Sequence, residues 1–168
     1  MSGVNGTRTR GPAYRAQLPL LDRLLNADPE APEPAPPSAA MALDMLHRAV
    51  RRDLEAVLNA RRRRHPLPVE LEELAVSPLN YGIPDATSGA YAVPARRQAL
   101  AREVEATIRR FEPRLMSVRV ELVGGEDELG RALRLKVDAV LRADPVPEPV
   151  SFETLLEPVS RDVTVREG

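Results

Sequence analysis

Hydrophobic residues follow two different periods along this chain, and the first is the period of a helix. After a proline-rich stretch, apolar residues recur at every third or fourth position, which predicts a helix with one buried face. These positions are Leu43, Leu46, Val50, Leu54, Val57 and Leu58. Ser38 precedes them as a candidate N-cap. We expect this helix to continue through the basic residues at 61–64 and to end at His65, before Pro66.

A second helical stripe ends at a proline. Its apolar positions are Leu100, Val104, Ile108 and Phe111. This spacing predicts a helix over residues 95–111. Pro113 has no N–H and disfavours the helical conformation at Glu112, so the helix ends there. The side chains of Glu112 and Arg114 are thereby held at a helix-to-strand corner, where they either pair within the subunit or contact another chain.

Strict alternation of apolar and polar residues, the period of a half-buried strand, follows this corner. It predicts a first strand at residues 115–123, a polar hairpin loop at 124–128 and then a second strand. The second strand has Leu133, Leu135, Val137, Ala139 and Leu141 on one face. Further extended segments are expected near Phe152 and, as an edge strand, at 159–165. The sequence therefore predicts an α+β fold, with two main amphipathic helices packed on a small, mainly antiparallel β-sheet.

The first 37 residues differ in composition from the rest. Residues 1–17 are polar and lack a period, which is typical of disorder, and residues 28–37 form a proline-rich linker. Between them, an apolar island at 18–25 includes Leu20, Leu21, Asp22, Arg23 and Leu24. A helix this short is marginal alone, so we expect it to fold back on its own domain or to dock its leucines on a partner. We therefore predict an N-terminal arm at 1–37 and an α+β domain at 38–168.

Composition and charge exclude several classes of protein. The net charge of −1 creates no overall field that would attract nucleic acid or an anionic membrane. No apolar run reaches the roughly 18 residues of a membrane span, and the N-terminus has no apolar leader. Cysteine is absent, which excludes disulfides and fits a reducing compartment, so we expect a cytoplasmic protein.

The basic run consists of Arg61, Arg62, Arg63 and Arg64. Basic residues near a helix C-terminus are favoured by the helix dipole, so we interpret the run as a solvated helix end. A contact with an acidic partner is the alternative. A contact with nucleic acid is less favoured again, because no aromatic residue is interleaved with the arginines.

No pattern of side chains predicts an enzyme. With two histidines and no cysteine, the sequence has no cluster of metal ligands. No glycine-rich loop follows a strand, and no serine nucleophile motif is present. Glu112 is the one carboxylate in a constrained position, but Arg114 beside it favours the ionised form, whereas a proton-donating acid needs the opposite environment. We expect no catalytic residue, no metal and no cofactor.

Four motifs, taken in order, resemble those of the TssE family of bacterial type VI secretion baseplate subunits. They are the leucine island at 20–24, the first-helix segment at 50–59, SPLNYGIPD at 77–85 and FEPRL at 111–115. Within the third motif, Asn80, Tyr81 and Gly82 predict a turn in which Gly82 can adopt a positive φ. The TssE family is related to a wedge protein of contractile phage tails and is often labelled lysozyme-like.

The resemblance implies a structural role. In that family the subunit lies in the baseplate wedge with TssF, TssG and TssK, at the cytoplasmic face of the inner membrane, and engages the contractile sheath of TssB and TssC. The family's Glu-Pro-Arg motif, associated with engaging the sheath, falls on Glu112, Pro113 and Arg114. We therefore expect a protein that nucleates and anchors the sheath, with an exposed sheet edge pairing with sheath strands. Two alternatives remain. One is a binding module that uses the arginine run, and the other, less favoured, is a peptidoglycan-acting enzyme.

Overall fold

A computed structural model describes residues 20–25, 37–63, 65–68, 70–84, 93–123, 133–143, 146–156 and 163–168. The helices are α1 (Leu20–Leu25), α2 (Ala39–Asn59) and α3 (Pro94–Phe111), with two 3₁₀ helices at Glu72–Val76 and Pro78–Asn80. The strands are β1 (Leu115–Leu122), β2 (Leu133–Leu141), β3 (Glu148–Leu156) and β4 (Val163–Glu167). The predicted disordered segment at 1–17, the predicted hairpin loop at 124–128 and all of the proline-rich linker except Pro37 lie outside the described residues.

The strands form one antiparallel sheet in the order β1-β2-β3-β4, so that β1 and β4 are its two edges. The five inward positions predicted for the second strand are all buried in β2. Apolar side chains of both long helices complete the same core, among them Val50, Leu54, Leu58, Leu100, Val104 and Ile108. The predicted α+β fold, with two main helices on an antiparallel sheet, is therefore confirmed. No helix among the described residues is long and apolar enough to cross a membrane.

β3 begins earlier than the proline-rich sequence around it suggests. The strand starts at Glu148 and includes Pro149. β4 pairs with β3 only over residues 152–156. Near Pro149, β3 therefore has a paired neighbour on one side only, which is where a strand tolerates a residue without an N–H.

The predicted edge strand at 159–165 corresponds to β4. Val163 and Val165 are buried and Thr164 between them is exposed, as the alternation predicted. The strand continues to Glu167, beyond the predicted end, whereas residues 159–162 lie outside the described part of the chain.

α2 begins as predicted but ends early. The Ser38 hydroxyl accepts the N–H of Met41 at 3.3 Å, so Ser38 is the N-cap. The helix stops at Asn59, and the prediction that it continues through the basic run to His65 is wrong. The arginines at 61–63 are consequently not the last turn of a helix.

Tertiary hydrogen bonds explain this early end. Ile83 donates its N–H to the Ala60 carbonyl at 3.0 Å and accepts the N–H of Arg62 at 2.9 Å. The Ile83 side chain is fully buried in the core. Arg62 also pairs with Glu103 of α3 at 2.9 Å. Part of the basic run therefore serves to hold its own domain together.

Candidate protein-docking site

The corner between α3 and β1 holds Glu112 and Arg114 in direct contact. Glu112 is only 3% exposed. Its Oε1 accepts the Nε–H of Arg114 at 2.5 Å, and its Oε2 accepts a second bond from Nη2 of the same guanidinium. These hydrogen bonds raise the pKa of Arg114. A bidentate pair of this kind is strong and directional, and here it lies within one subunit.

The backbone fixes this corner independently of the two charges. The Glu112 carbonyl accepts the N–H of Leu115 at 3.1 Å, which closes a tight turn around Pro113. The Arg114 carbonyl accepts the N–H of Arg142, just beyond β2, at 2.8 Å. The proline supplies a rigid φ where no N–H is needed. The corner is therefore bound to both α3 and the sheet.

Two residues of α2 that sequence reasoning did not identify extend the pair into a network. Oδ2 of Asp53 accepts a hydrogen bond from Nη2 of Arg114 at 2.6 Å. Its Oδ1 accepts one from Nε of Arg52 at 3.1 Å. Arg52 then reaches Asp22 of α1 at 2.7 Å. Hydrogen bonds to Asp22 and Asp53 raise the pKa of Arg52. The Arg-Asp dipeptide was visible in the sequence, but its partners lie too far away along the chain for a local pattern to indicate them.

The turn at residues 80–82 lies beside this network. Gly82 has a φ of 99°, the left-handed conformation that the sequence predicted. The Tyr81 ring meets the Phe111 ring edge-on, with centroids 5.1 Å apart. Burial raises the pKa of Tyr81, and the negative charges of Asp53 and the corner glutamate raise it further. The turn and the corner are thus parts of one local structure.

α1 joins the network through a polar contact and leaves leucines on the surface. Leu20, Leu21 and Leu24 are 69%, 47% and 66% exposed. The contact that connects α1 to α2 is the ion pair between Asp22 and Arg52. The leucine island and the corner, which the sequence presented as separate motifs, are therefore connected by a single series of alternating charges.

The outer edge of β1 is occupied at its middle by side chains of α3. Arg109 donates to the Val118 carbonyl at 2.6 Å, and Glu105 accepts the N–H of Val120 at 3.0 Å. Arg109 and Glu105 also pair with each other at 2.9 Å. An irregularity in register near the start of β1 distorts the edge further. Another strand cannot pair along this edge without displacing the two side chains.

Among the described residues, a side chain bonds the outer edge of β4 only at its first residue. Asn59 donates to the Val163 carbonyl at 2.9 Å and accepts the Val163 N–H at 2.8 Å. Because alternate residues of an antiparallel strand direct their N–H and C=O groups to the same edge, those of Val165 and Glu167 also face outward. No described residue bonds these outward groups. Val165 is only 2% exposed, so within the described residues the accessible part of this edge is its end at Glu167, where another strand can pair.

The other candidate chemistry finds less support in the described residues. Arg61 donates to the Leu58 carbonyl at 3.1 Å, and Arg62 is held by Glu103, so neither is a free surface cation. Arg64 lies outside the described residues. Within the described part of the chain, no group of three or more His, Cys, Asp or Glu side chains is arranged to hold a metal ion.

Comparison with known proteins assigns the family. A search of curated proteins found no match. A family model for baseplate wedge protein gp25 matches residues 44–146, which is more than half of the chain. The match includes most of α2, the turn at 80–82, α3, the corner and β2, whereas β3 and β4 follow it. The chain therefore belongs to the baseplate wedge protein gp25 family, the family of the TssE subunits that its motifs resemble.

Proposed function

We propose that this protein anchors the contractile sheath to the baseplate wedge of a type VI secretion system, in the cytoplasm at the inner membrane. Its family supports a structural role in the baseplate of a phage tail-like assembly. We also propose that it catalyses no reaction. The observation that carries the sheath assignment is the exposed end of β4 at Glu167, whose outward N–H and C=O groups no described residue bonds, since a structural subunit that starts a polymer needs a surface to which the first polymer unit can add.

Strand pairing at β4 is the proposed mode of contact. An extended segment of a sheath subunit bonds the outward N–H and C=O groups of Glu167 at the exposed end of β4, which provide up to two main-chain hydrogen bonds. Each contributes roughly 0.5–1.5 kcal/mol net. Main-chain bonds supply affinity in this mode, and the side chains on the two faces of the added strand supply specificity.

In this proposal the corner orients the sheath and wedge subunits that contact it. The Glu112 side chain is 4% exposed, so it positions Arg114 and is itself hardly available to a partner. The Arg114 side chain is 28% exposed and Pro113 lies on the surface. We assign the contacts with sheath and wedge subunits at the corner to Pro113 and the exposed part of Arg114. Contacts of TssF, TssG or TssK with α1 are assigned to the exposed leucines.

A proline placed on each edge in turn tests the proposal. Glu167→Pro removes an outward N–H of β4 and puts a ring where the sheath segment would lie. Leu122→Pro is the matched control, because the alternation along β1 directs its N–H outward on the other edge. We expect Glu167→Pro to abolish sheath assembly on reconstituted baseplates, measured by electron microscopy, and Leu122→Pro to permit it.

Circular dichroism of both variants establishes that each is folded before assembly is scored. Wild-type sheath assembly on folded Glu167→Pro protein would refute β4 as the docking edge. Failure of folded Leu122→Pro protein alone would assign the contact to β1 instead.

A further inference from the structure

We propose that a cleft on the outer face of the sheet binds an acidic segment of a partner protein, one that carries a carboxylate beside an apolar side chain. The cleft has a volume of about 350 Å³. The surface residues that line it are Val123, Arg134, Glu153, Leu155, Thr164 and Arg166. Because the cleft lies on a face of the sheet, this proposal goes beyond strand pairing at the end of β4 and does not depend on it.

The register of the sheet brings these side chains together. Arg134 of β2 lies opposite Leu155 of β3, which lies opposite Thr164 of β4. Two residues further along, Glu153 of β3 lies opposite Arg166 of β4. Residues two apart on a strand face the same way, so all five side chains are on the outer face, away from the core in which both long helices pack. The two arginines therefore flank β3.

The two arginines of the cleft have no partner for their charge. In the described part of the chain, neither guanidinium forms a hydrogen bond or an ion pair. Two other cations of this face, by contrast, pair with a carboxylate of their own strand. These pairs are Lys136 with Asp138 at 3.0 Å and Arg119 with Glu121 at 2.6 Å. Of the charged residues that line the described cleft, two are cations and one, Glu153, is an anion. The cleft therefore has an excess positive charge, although the whole chain has a net charge of −1.

A carboxylate with an apolar neighbour fits this lining better than a free anion or a nucleic acid. A guanidinium binds a carboxylate through two parallel hydrogen bonds. Leu155 and the exposed Val123 offer apolar surface beside the arginines, which a bare ion would leave in water. The described lining includes no aromatic side chain on which a base could stack. Because the chain belongs to a family of structural baseplate subunits, we assign the carboxylate to an acidic side chain of a neighbouring protein.

Titration of the isotope-labelled full chain with short peptides, followed by amide NMR shifts, tests this proposal. The probe is the peptide acetyl-Leu-Glu-Glu-Leu-amide. One control peptide has glutamine in place of glutamate, and the other has serine in place of leucine. We expect the probe to shift the amides of Arg134, Leu155 and Thr164. Each control peptide should bind about threefold more weakly, because it lacks either the ion pair or the apolar contact.

Charge variants of the chain locate the binding. Arg134→Gln combined with Arg166→Gln should weaken binding of the probe about tenfold, because both exposed cations are lost. Arg102→Gln combined with Arg110→Gln removes two charges from exposed positions on α3 and should bind the probe as the wild type does. Glu153→Gln removes a carboxylate that repels the probe, so it should strengthen binding about threefold.

Several results would each overturn the proposal. An equal loss of binding in the Arg102/Arg110 variant would mean that the probe responds only to overall charge. Equal shifts of the same amides by inorganic phosphate or by a DNA oligonucleotide would assign the cleft to phosphates.

The competing occupant within the chain is the acidic run at 126–128, which follows Val123 in the sequence and lies outside the described residues. Binding of the probe only after these three residues are neutralised would assign the cleft to them, and no binding in either protein would leave the cleft without a carboxylate ligand. Both results refute the proposal. None of these measurements involves sheath assembly, so the proposed function is tested separately.

Discussion

The two edges of the sheet are protected very differently, although one long helix borders each. On β1, two side chains of α3 bond the middle of the edge, at Val118 and Val120. On β4, α2 bonds the first residue through Asn59, and no described residue bonds the outward groups of Val165, which is buried, or of Glu167, which is exposed. Unpaired edges invite association with other chains, so proteins usually cover or charge them. The side chains of α3 therefore protect the middle of β1, whereas among the described residues the exposed end of β4 at Glu167 has no such cover.

The difference follows from how each helix is connected to its strand. α3 passes into β1 through the Glu112–Arg114 corner without an intervening loop, which places its side chains close along the edge. α2 is separated from β4 by most of the chain, and its side-chain bonds to that edge are those of Asn59. The corner therefore positions the α3 side chains that bond the middle of the β1 edge.

The largest expected effect comes from breaking that corner. Glu112→Ala leaves the guanidinium of Arg114 without its principal partner, although Asp53 remains. Removing one partner of a fully buried pair costs about 3–5 kcal/mol. Because Arg114 is partly exposed, we expect a loss of roughly 2–4 kcal/mol in the free energy of unfolding, measured by urea denaturation. Amide hydrogen exchange should accelerate more in α3 and β1, which meet at the corner, than in β3 and β4.

Glu121→Ala provides the control for this change. Glu121 lies on β1 and pairs with Arg119 at 2.6 Å, but both side chains are exposed. An exposed pair contributes roughly 0.2–1 kcal/mol. Equal destabilisation by Glu112→Ala and Glu121→Ala would contradict the assignment of a stabilising role to the corner.

An intermediate effect is expected when the closed edge is opened. The double change Glu105→Ala and Arg109→Ala removes both side-chain bonds to β1 without altering the net charge. We expect a loss of about 1–2 kcal/mol in stability, since each hydrogen bond contributes roughly 0.5–1.5 kcal/mol. We also expect concentration-dependent self-association, measured by light scattering, because the middle of β1 then offers unpaired main-chain groups.

The matched control is Arg102→Ala with Glu103→Ala, which removes an opposite pair of charges from the same helix away from the strand edge. It breaks the contact with Arg62 but leaves β1 covered. If the Glu105/Arg109 variant stays monomeric, or if this control associates equally, the closed state of the β1 edge does not depend on the α3 side chains.

The local features of this fold were predictable, and the long-range contacts that define the docking site were not. The extent of α3, the faces of β2 and the positive φ of Gly82 follow from periodicity and turn chemistry within a few residues. The contact of Arg114 with Asp53 joins positions 61 residues apart, and that of Asn59 with Val163 joins positions 104 apart. The early end of α2 likewise depends on Ile83. No local pattern encodes such pairings, although the charged corner itself was identified.

The outer face of the sheet carries ion pairs that lie within single strands. Lys136 and Asp138 of β2 pair at 3.0 Å, and Arg119 of β1 lies opposite Asp138. Glu153 of β3 lies opposite Arg166 of β4, yet no ion pair joins them in the described structure. The ion pairs Lys136–Asp138 and Arg119–Glu121 each lie within one strand, so among the described residues neither edge strand is held to its neighbour by an ion pair on this face.

The smallest predicted effect is a pH dependence, which measures the contribution of the Lys136–Asp138 pair within β2. The hydrogen bond from Lys136 lowers the pKa of Asp138 from its ordinary value of 3.8. A lowered folded pKa adds stability above 3.8, and this stability disappears as the pH falls through the folded value. The Asp138 side chain is 42% exposed, so solvent screening limits the gain to roughly 0.2–1 kcal/mol. Asp138→Asn should therefore unfold more easily than the wild type in urea at pH 7, and the difference should vanish near pH 2. Glu153→Gln removes an exposed carboxylate that forms no ion pair among the described residues, and an equal loss of stability in both variants at pH 7 would contradict the assignment of the Asp138 effect to its contact with Lys136.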